Sequence, residues 1–161
     1  MTKGSSSKIA DISGLIGWLL LSAVIAWFGS QFAADNWYLE LNKPGWTPPG
    51  WIFGPVWTIL YILMAVAAWL IWRNDRKITG KLSLEIYLIK MVCNGLWSYL
   101  FFGLHQIGLA FLDIIVLLVL LIWVIILFYK EKKSAGIILI PYLIWVSFAS
   151  VLNLSIWLLN C

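Results

Sequence analysis

The sequence predicts an all-α integral membrane protein, a bundle of five transmembrane helices. Two observations carry this. Of its 161 residues, 63% are hydrophobic and only 11% are charged, with a mean hydropathy of +0.95; soluble domains are about 45–50% apolar and about 25% charged. The apolar residues also fall in long unbroken runs, and a spanning helix needs about 20 of them. A closed barrel would show short alternating segments with a polar inner face. The length leaves room for about five spans, in one domain covering 1–161.

In chain order, the opening MTKGSSSK reads as a flexible polar tail. The first span is expected near 10–33. Its apolar run, Ile12 to Phe32, is too long for a signal-peptide core and lacks a small-residue cleavage site. A loop at 34–50 follows, then spans near 51–73, 83–103, 107–130 and 135–159. Gly103 and Gly108 flank the connection LHQI, so the third and fourth spans form a tight hairpin. Pro141 lies early in the fifth span, where it frees the carbonyl near Ile137 and is placed to kink the helix. Cys93 is inside a span and Cys161 is terminal, so no shared disulfide is expected.

Charge predicts orientation. Lys3, Lys8, Arg73, Arg76, Lys77, Lys81, Lys130, Lys132 and Lys133 fall at one end, nine of the eleven basic residues. Cationic loops stay cytoplasmic, so in a bacterial-type inner membrane the N-terminus faces in and the 34–50 loop faces out. The net charge of +4 and pI near 9.1 follow from this topology and call for no nucleic-acid partner. Trp27, Trp37, Trp46, Trp51, Trp72 and Trp157 sit near span ends, as in an interfacial aromatic belt. Trp57, Trp97 and Trp145 lie inside spans.

The stretch NKPGWTPPGWIFGPVWTILY (42–61) joins the loop to the second span. Pro48 and Pro49 hold the entry extended or turned, Gly50 opens the helix, and Pro55 falls in or near its first turn, where a missing N–H costs little. Two readings stay open: a rigid lid over a cavity, or a stiff connector with interfacial anchors. Trp46 and Trp51 read as anchors in either case.

Polar residues in a membrane face the bundle interior. Asn94, Trp97, Ser98 and Phe101 share one face of the third span, and Trp145, Ala149 and Asn153 one face of the fifth. Phe148 and Leu152 are adjacent to that face. Trp57, Tyr61, Ala65 and Ala68 run down one side of the second. Rings for stacking, alanines for room, and amides and a phenol for orientation describe a pocket for a flat, largely apolar ligand. The asparagines equally suit interhelical hydrogen bonds. His105, the only histidine, falls in the short loop after the third span and is expected to be solvated rather than an iron ligand. Asp113 is expected to pair or reach the interface. Gly14 and Gly17 permit close helix approach, though their spacing is not GxxxG.

The run WYLELNKPGWTPPGWIFGPVWTILYILM (37–64) resembles the tryptophan-rich sensory protein family, whose animal member is the translocator protein or peripheral benzodiazepine receptor. The matching residues are Trp37, Tyr38, Leu41, Lys43, Pro44, Trp46, Pro48, Pro49, Pro55, Val56, Trp57 and Tyr61. NGLWSYLFF (94–102) and PYLIWVSFASVLN (141–153) are similar to the family's third- and fifth-helix motifs. The resemblance covers nearly the whole chain. It implies a bundle that binds porphyrins, haem and, in animal members, cholesterol and drug-like apolar ligands, in a pocket under the first loop. By position the ligand contacts fall on Tyr38, Pro48, Trp57, Tyr61, Asn94, Trp97, Trp145, Phe148 and Ala149. Porphyrin or haem is then a ligand, with no required cofactor and no metal site. A homodimer is a further family expectation.

Three functions stay open on these grounds: a receptor or carrier for tetrapyrroles in sensing or stress response; a light-dependent porphyrin-degrading enzyme using Trp57 and Trp145; and a partner-regulating structural membrane protein. There are two departures from the family. ASVLNLSIWLLN (149–160) lacks the late tyrosine and arginine of the animal cholesterol segment, which argues against cholesterol binding by that route. Lys90 stands where the family often has glutamine; it is expected to snorkel to the basic end, the alternative being an anionic propionate partner.

Overall fold

A computed structural model describes residues 3–32, 34–74 and 78–161, and their side chains except at 3–8 and 78–80. Arg76, Lys77 and the side chains of Lys3 and Lys8 thus lie outside the described residues. The helices are α1 (Lys3–Ser30), α2 (Asn36–Glu40), α3 (Phe53–Asn74), α4 (Ile78–Ser98), α5 (Ile107–Glu131), α6 (Lys133–Ile138) and α7 (Ile140–Leu159). A 3₁₀ turn, Gly50–Ile52, leads into α3, and a π-turn, Tyr99–Gly103, ends α4. Five stretches are long and apolar enough to cross a membrane: Ile9–Ser30, Gly50–Asn74, Lys81–Gly103, Ile107–Glu131 and Lys133–Leu159.

Two local features differ from expectation, and the kink expected at Pro141 is a full break. The backbone of α1 is helical from Lys3, so most of the supposed tail continues the first helix. The 34–50 loop contains its own short helix, α2, whose Asp35 cap accepts from the Tyr38 N–H at 3.2 Å. The fifth span is two helices: Leu139 sits at φ −85°, ψ −7° between α6 and α7, with Pro141 in the first turn of α7. Proline removes the N–H that would have continued the ladder, so the chain breaks just before it.

The helices close a ring. α1 packs on α3 and α4, α4 on α5, α5 on α6 and α7, and α6 back on α3. At the basic end the ring is tight. Ala65, Ala67 and Ala68 of α3 and Ala135 of α6 are fully buried, and a Cβ at Gly136 would lie 2.8 Å from the Tyr129 Cα. Tyr87 stacks on Phe128 at 5.8 Å, and both are buried. Two polar contacts fasten this end of α1 to α3: Asp11 pairs with Arg73 at 3.1 Å, and its carbonyl accepts from Trp69 Nε1 at 2.9 Å. Ala65 and Ala68 therefore give close packing, not ligand room, because the neighbouring helices move in to fill the space their small side chains leave.

Gly14 has a similar use. A Cβ there would fall 2.1 Å from the Trp72 ring, so this glycine seats a tryptophan of its own chain. Gly17 has nothing within 4 Å.

Candidate functional site

At the other end the ring opens into a cavity of about 1340 Å³, with all five spans and the 34–50 loop in its lining. Large rings hold the helices apart. Trp57 and Tyr61 of α3 contact each other at 5.6 Å between ring centres. Trp57 meets Tyr142 of α7 edge-on at 6.2 Å, and Phe53 meets Trp145 at 5.7 Å. Trp97 of α4 stacks on Phe101 at 5.2 Å.

Polar groups orient these rings. Trp97 Nε1 donates to Asn153 Oδ1 at 2.9 Å, and Asn153 Nδ2 donates to the Ile107 carbonyl at 3.1 Å. This ties α4, α7 and the start of α5 together. Deeper, Tyr142 Oη donates to Asn94 Oδ1 and Asn94 Nδ2 donates to Tyr61 Oη, each at 2.7 Å. The interhelical role of both asparagines is thus observed, and both also line the cavity.

The loop roofs the cavity and is fastened on several sides. Thr47 closes a turn onto the Pro44 carbonyl through both its N–H (3.0 Å) and its Oγ1 (2.7 Å). Lys43 Nζ donates to the carbonyls of Leu39 and Leu41, at 3.3 and 3.1 Å, and to that of Tyr38. A cation there satisfies carbonyls left open at the end of α2. Asn160, just past α7, accepts from the Asn42 N–H at 3.0 Å and donates to its carbonyl at 2.9 Å. His105 pairs with Asp35 at 3.2 Å and stacks on Trp37 at 4.1 Å. It adopts φ 56°, the left-handed region. His105 is therefore a tether between two loops and not merely solvated, because its ring and its nitrogen both meet residues of the lid. Burial raises the Tyr38 phenol above its ordinary pKa, so it stays a neutral hydroxyl under the lid.

Of the nine expected contacts, Tyr38, Pro48, Trp57, Tyr61, Asn94, Trp97, Trp145 and Ala149 line the cavity. Phe148 does not. It packs between Trp145 and Trp46, at 5.6 and 5.7 Å, because it points one position round α7 from Ala149. Trp46 and Trp51 are 48% and 76% exposed and lie outside the lining, as anchors would. Trp37 and Trp157 are drawn inward: Trp157 packs on Phe111 at 5.7 Å and on Gly108. The lining also includes residues of α1 that the sequence did not single out, among them Ser22, Ala23 and Ala26. The small residues of α1 were a signal that helical periodicity alone did not separate from lipid-facing positions.

Two interior charges behave unexpectedly. Lys90 does not snorkel. It is fully buried, with Nζ 2.9 Å from Met64 Sδ and over the rings of Tyr87 and Tyr142. Its chain neighbours Tyr87 and Met91 are buried as well, so this face of α4 turns into the bundle. Asp113 keeps one carboxylate oxygen buried without a partner among the described residues. Among them, no group of histidine, cysteine and acid side chains is arranged to hold a metal.

A five-helix membrane protein with a lidded aromatic cavity is the class this architecture defines. The profile of the TspO/MBR family matches residues 17–158, and the chain belongs to that family. It is 38% identical to the tryptophan-rich protein TspO of Archaeoglobus fulgidus, over 93% of this chain and 99% of that one. It is 35% identical to protein CrtK of Rhodobacter capsulatus, over 82% and 83% of the two chains. Against the human translocator protein it is 32% identical, over 88% and 87%.

Proposed function

We propose that this protein is a membrane receptor or carrier that binds tetrapyrroles, protoporphyrin IX or haem, in the cavity under the 34–50 loop. The observation that carries this reading is the cavity's size and chemistry together. Its volume, about 1340 Å³, exceeds the range of about 300–1,000 Å³ usual for drug-sized ligands. Its walls are mainly apolar and aromatic, with a few amides and phenols. A flat macrocycle uses both, stacking on rings and taking hydrogen bonds at its edge. The same walls suit other large apolar ligands, including drug-like ones. In a bacterial-type inner membrane the lid would face outward and the basic end the cytoplasm, on the positive-inside rule.

Titration of detergent-purified protein with protoporphyrin IX tests this. Saturable tryptophan quenching is expected, and its absence refutes the reading. A second reading has one supporting observation: Trp57 and Trp145 line the same cavity, so a bound porphyrin would lie against both. Light-dependent loss of porphyrin absorbance is then expected in the wild type and not in Trp57→Phe or Trp145→Phe. Equal loss in all three would mean bystander photobleaching.

A further inference from the structure

Lys90 is a fully buried lysine with no acid paired to it among the described residues. Its Nζ touches a thioether sulfur at 2.9 Å and two ring faces at 4.6 and 4.7 Å. A thioether is a weak acceptor, and ring faces recover only part of the cost of burying charge. The described ion pair Arg73–Asp11 and the His105–Asp35 contact stand elsewhere. Asp113 on α5, one of the acids inside a span, is not among the described ion pairs with it.

The hydrogen bonds above Lys90 all run one way. Tyr142, whose ring face meets the ammonium, donates to Asn94 Oδ1. With its oxygen taken, Asn94 gives its Nδ2 proton to Tyr61 Oη. Tyr61 is left with its own hydroxyl hydrogen and no acceptor for it among the described residues. Tyr61 lines the cavity. A cation behind a chain of donors polarises the chain in one sense, with its positive end toward the cavity. Among the described residues the lining contains no aspartate or glutamate, and Trp145 Nε1 is a further buried donor without a partner. The cavity floor thus offers hydrogen-bond donors, with no acid side chain among its described lining.

We propose that Lys90 makes the cavity selective for ligands bearing a carboxylate, acting through the Tyr142–Asn94–Tyr61 chain. The carboxylate oxygen takes the Tyr61 hydroxyl. Lys90 is a positioning residue that supplies the counter-charge one helical turn below Asn94, about 6 Å along α4. The inference rests on the cavity being the ligand site, and a propionate of a tetrapyrrole is one such carboxylate.

The test is quenching titration of wild type, Lys90→Gln and Lys90→Arg with protoporphyrin IX and with its dimethyl ester. A parallel pair is pyrenebutyric acid and its methyl ester. Wild type is expected to prefer the acid about tenfold, or about 1.4 kcal/mol. Lys90→Gln should bring the ratio near one without weakening ester binding, and Lys90→Arg should keep the preference. A purely structural lysine would weaken acid and ester alike. If Lys90→Gln does not fold, Tyr61→Phe removes the terminal donor and should also lower the ratio. If the porphyrins fail to bind while the pyrene pair shows a Lys90-dependent preference, the tetrapyrrole reading falls and this proposal stands. If neither pair shows one, this proposal is overturned.

Discussion

The two halves of the bundle are built from the same five spans, yet the basic end is packed solid and the loop end is hollow. The difference follows side-chain size along α3. Near the loop it carries Trp57 and Tyr61, and towards the basic end Ala65, Ala67 and Ala68. Alanine and glycine let α1, α5 and α6 close in until side chains touch backbone. Indole rings prop the same helices apart, and the space between them is too large for the chain to fill. A packed end can then act as a rigid base from which the cavity walls project.

The comparison breaks if the solid half tolerates truncation. Phe128→Ala, in the stack with Tyr87, is expected to cost about 3–5 kcal/mol, read as a lower midpoint of thermal unfolding in detergent. Adding bulk sharpens it further. Gly136→Ala places a methyl 2.7 Å from the Tyr129 Cβ and 2.8 Å from its Cα, which should cost about 1–3 kcal/mol. Gly54→Ala, where nothing lies within 4 Å, should instead raise the midpoint slightly, since alanine favours a helix over glycine by about 0.8–1 kcal/mol. If both glycine variants lose stability equally, the two halves do not differ in packing.

On the hollow side the larger effects should be on ligand. Trp57→Ala is expected to weaken porphyrin binding about tenfold, about 1.4 kcal/mol, with a smaller fall in unfolding midpoint than Phe128→Ala. A fall in midpoint as large as that of Phe128→Ala would show that the ring is core rather than cavity wall. The smallest effect concerns the lid. Asn160→Ala removes the pair of hydrogen bonds to Asn42, worth about 1 kcal/mol in stability. Faster hydrogen exchange at the Asn42 amide and faster ligand release are expected. Unchanged exchange would mean that Lys43 and the His105–Asp35 pair hold the lid unaided.

Much of this was legible in the sequence. Hydropathy locates the five spans because lipid rewards long apolar runs whatever the neighbours do. Helical periodicity puts Trp57 with Tyr61 and Asn94 with Trp97, because residues one turn apart share a face in any helix. The prolines mark the start of α3 for an equally local reason. What failed were some of the inferences that needed a neighbour. Ala65 and Ala68 read as room and prove to be contact. Lys90 reads as a snorkelling cation and is enclosed by Met64, Tyr87 and Tyr142 from three helices. His105 reads as solvated; it is exposed, and it is also held by Asp35 and Trp37, some seventy positions earlier in the chain.

By itself, then, the sequence determined the all-α membrane class, the spans, the family, and which rings share a face. These depend on solvent preference and on the repeat of a single helix. Only the tertiary structure decided where the cavity lies, what fastens its lid, and which charge stands beneath its floor. Those depend on how far apart packed helices stand, a distance set jointly by side chains from several of them.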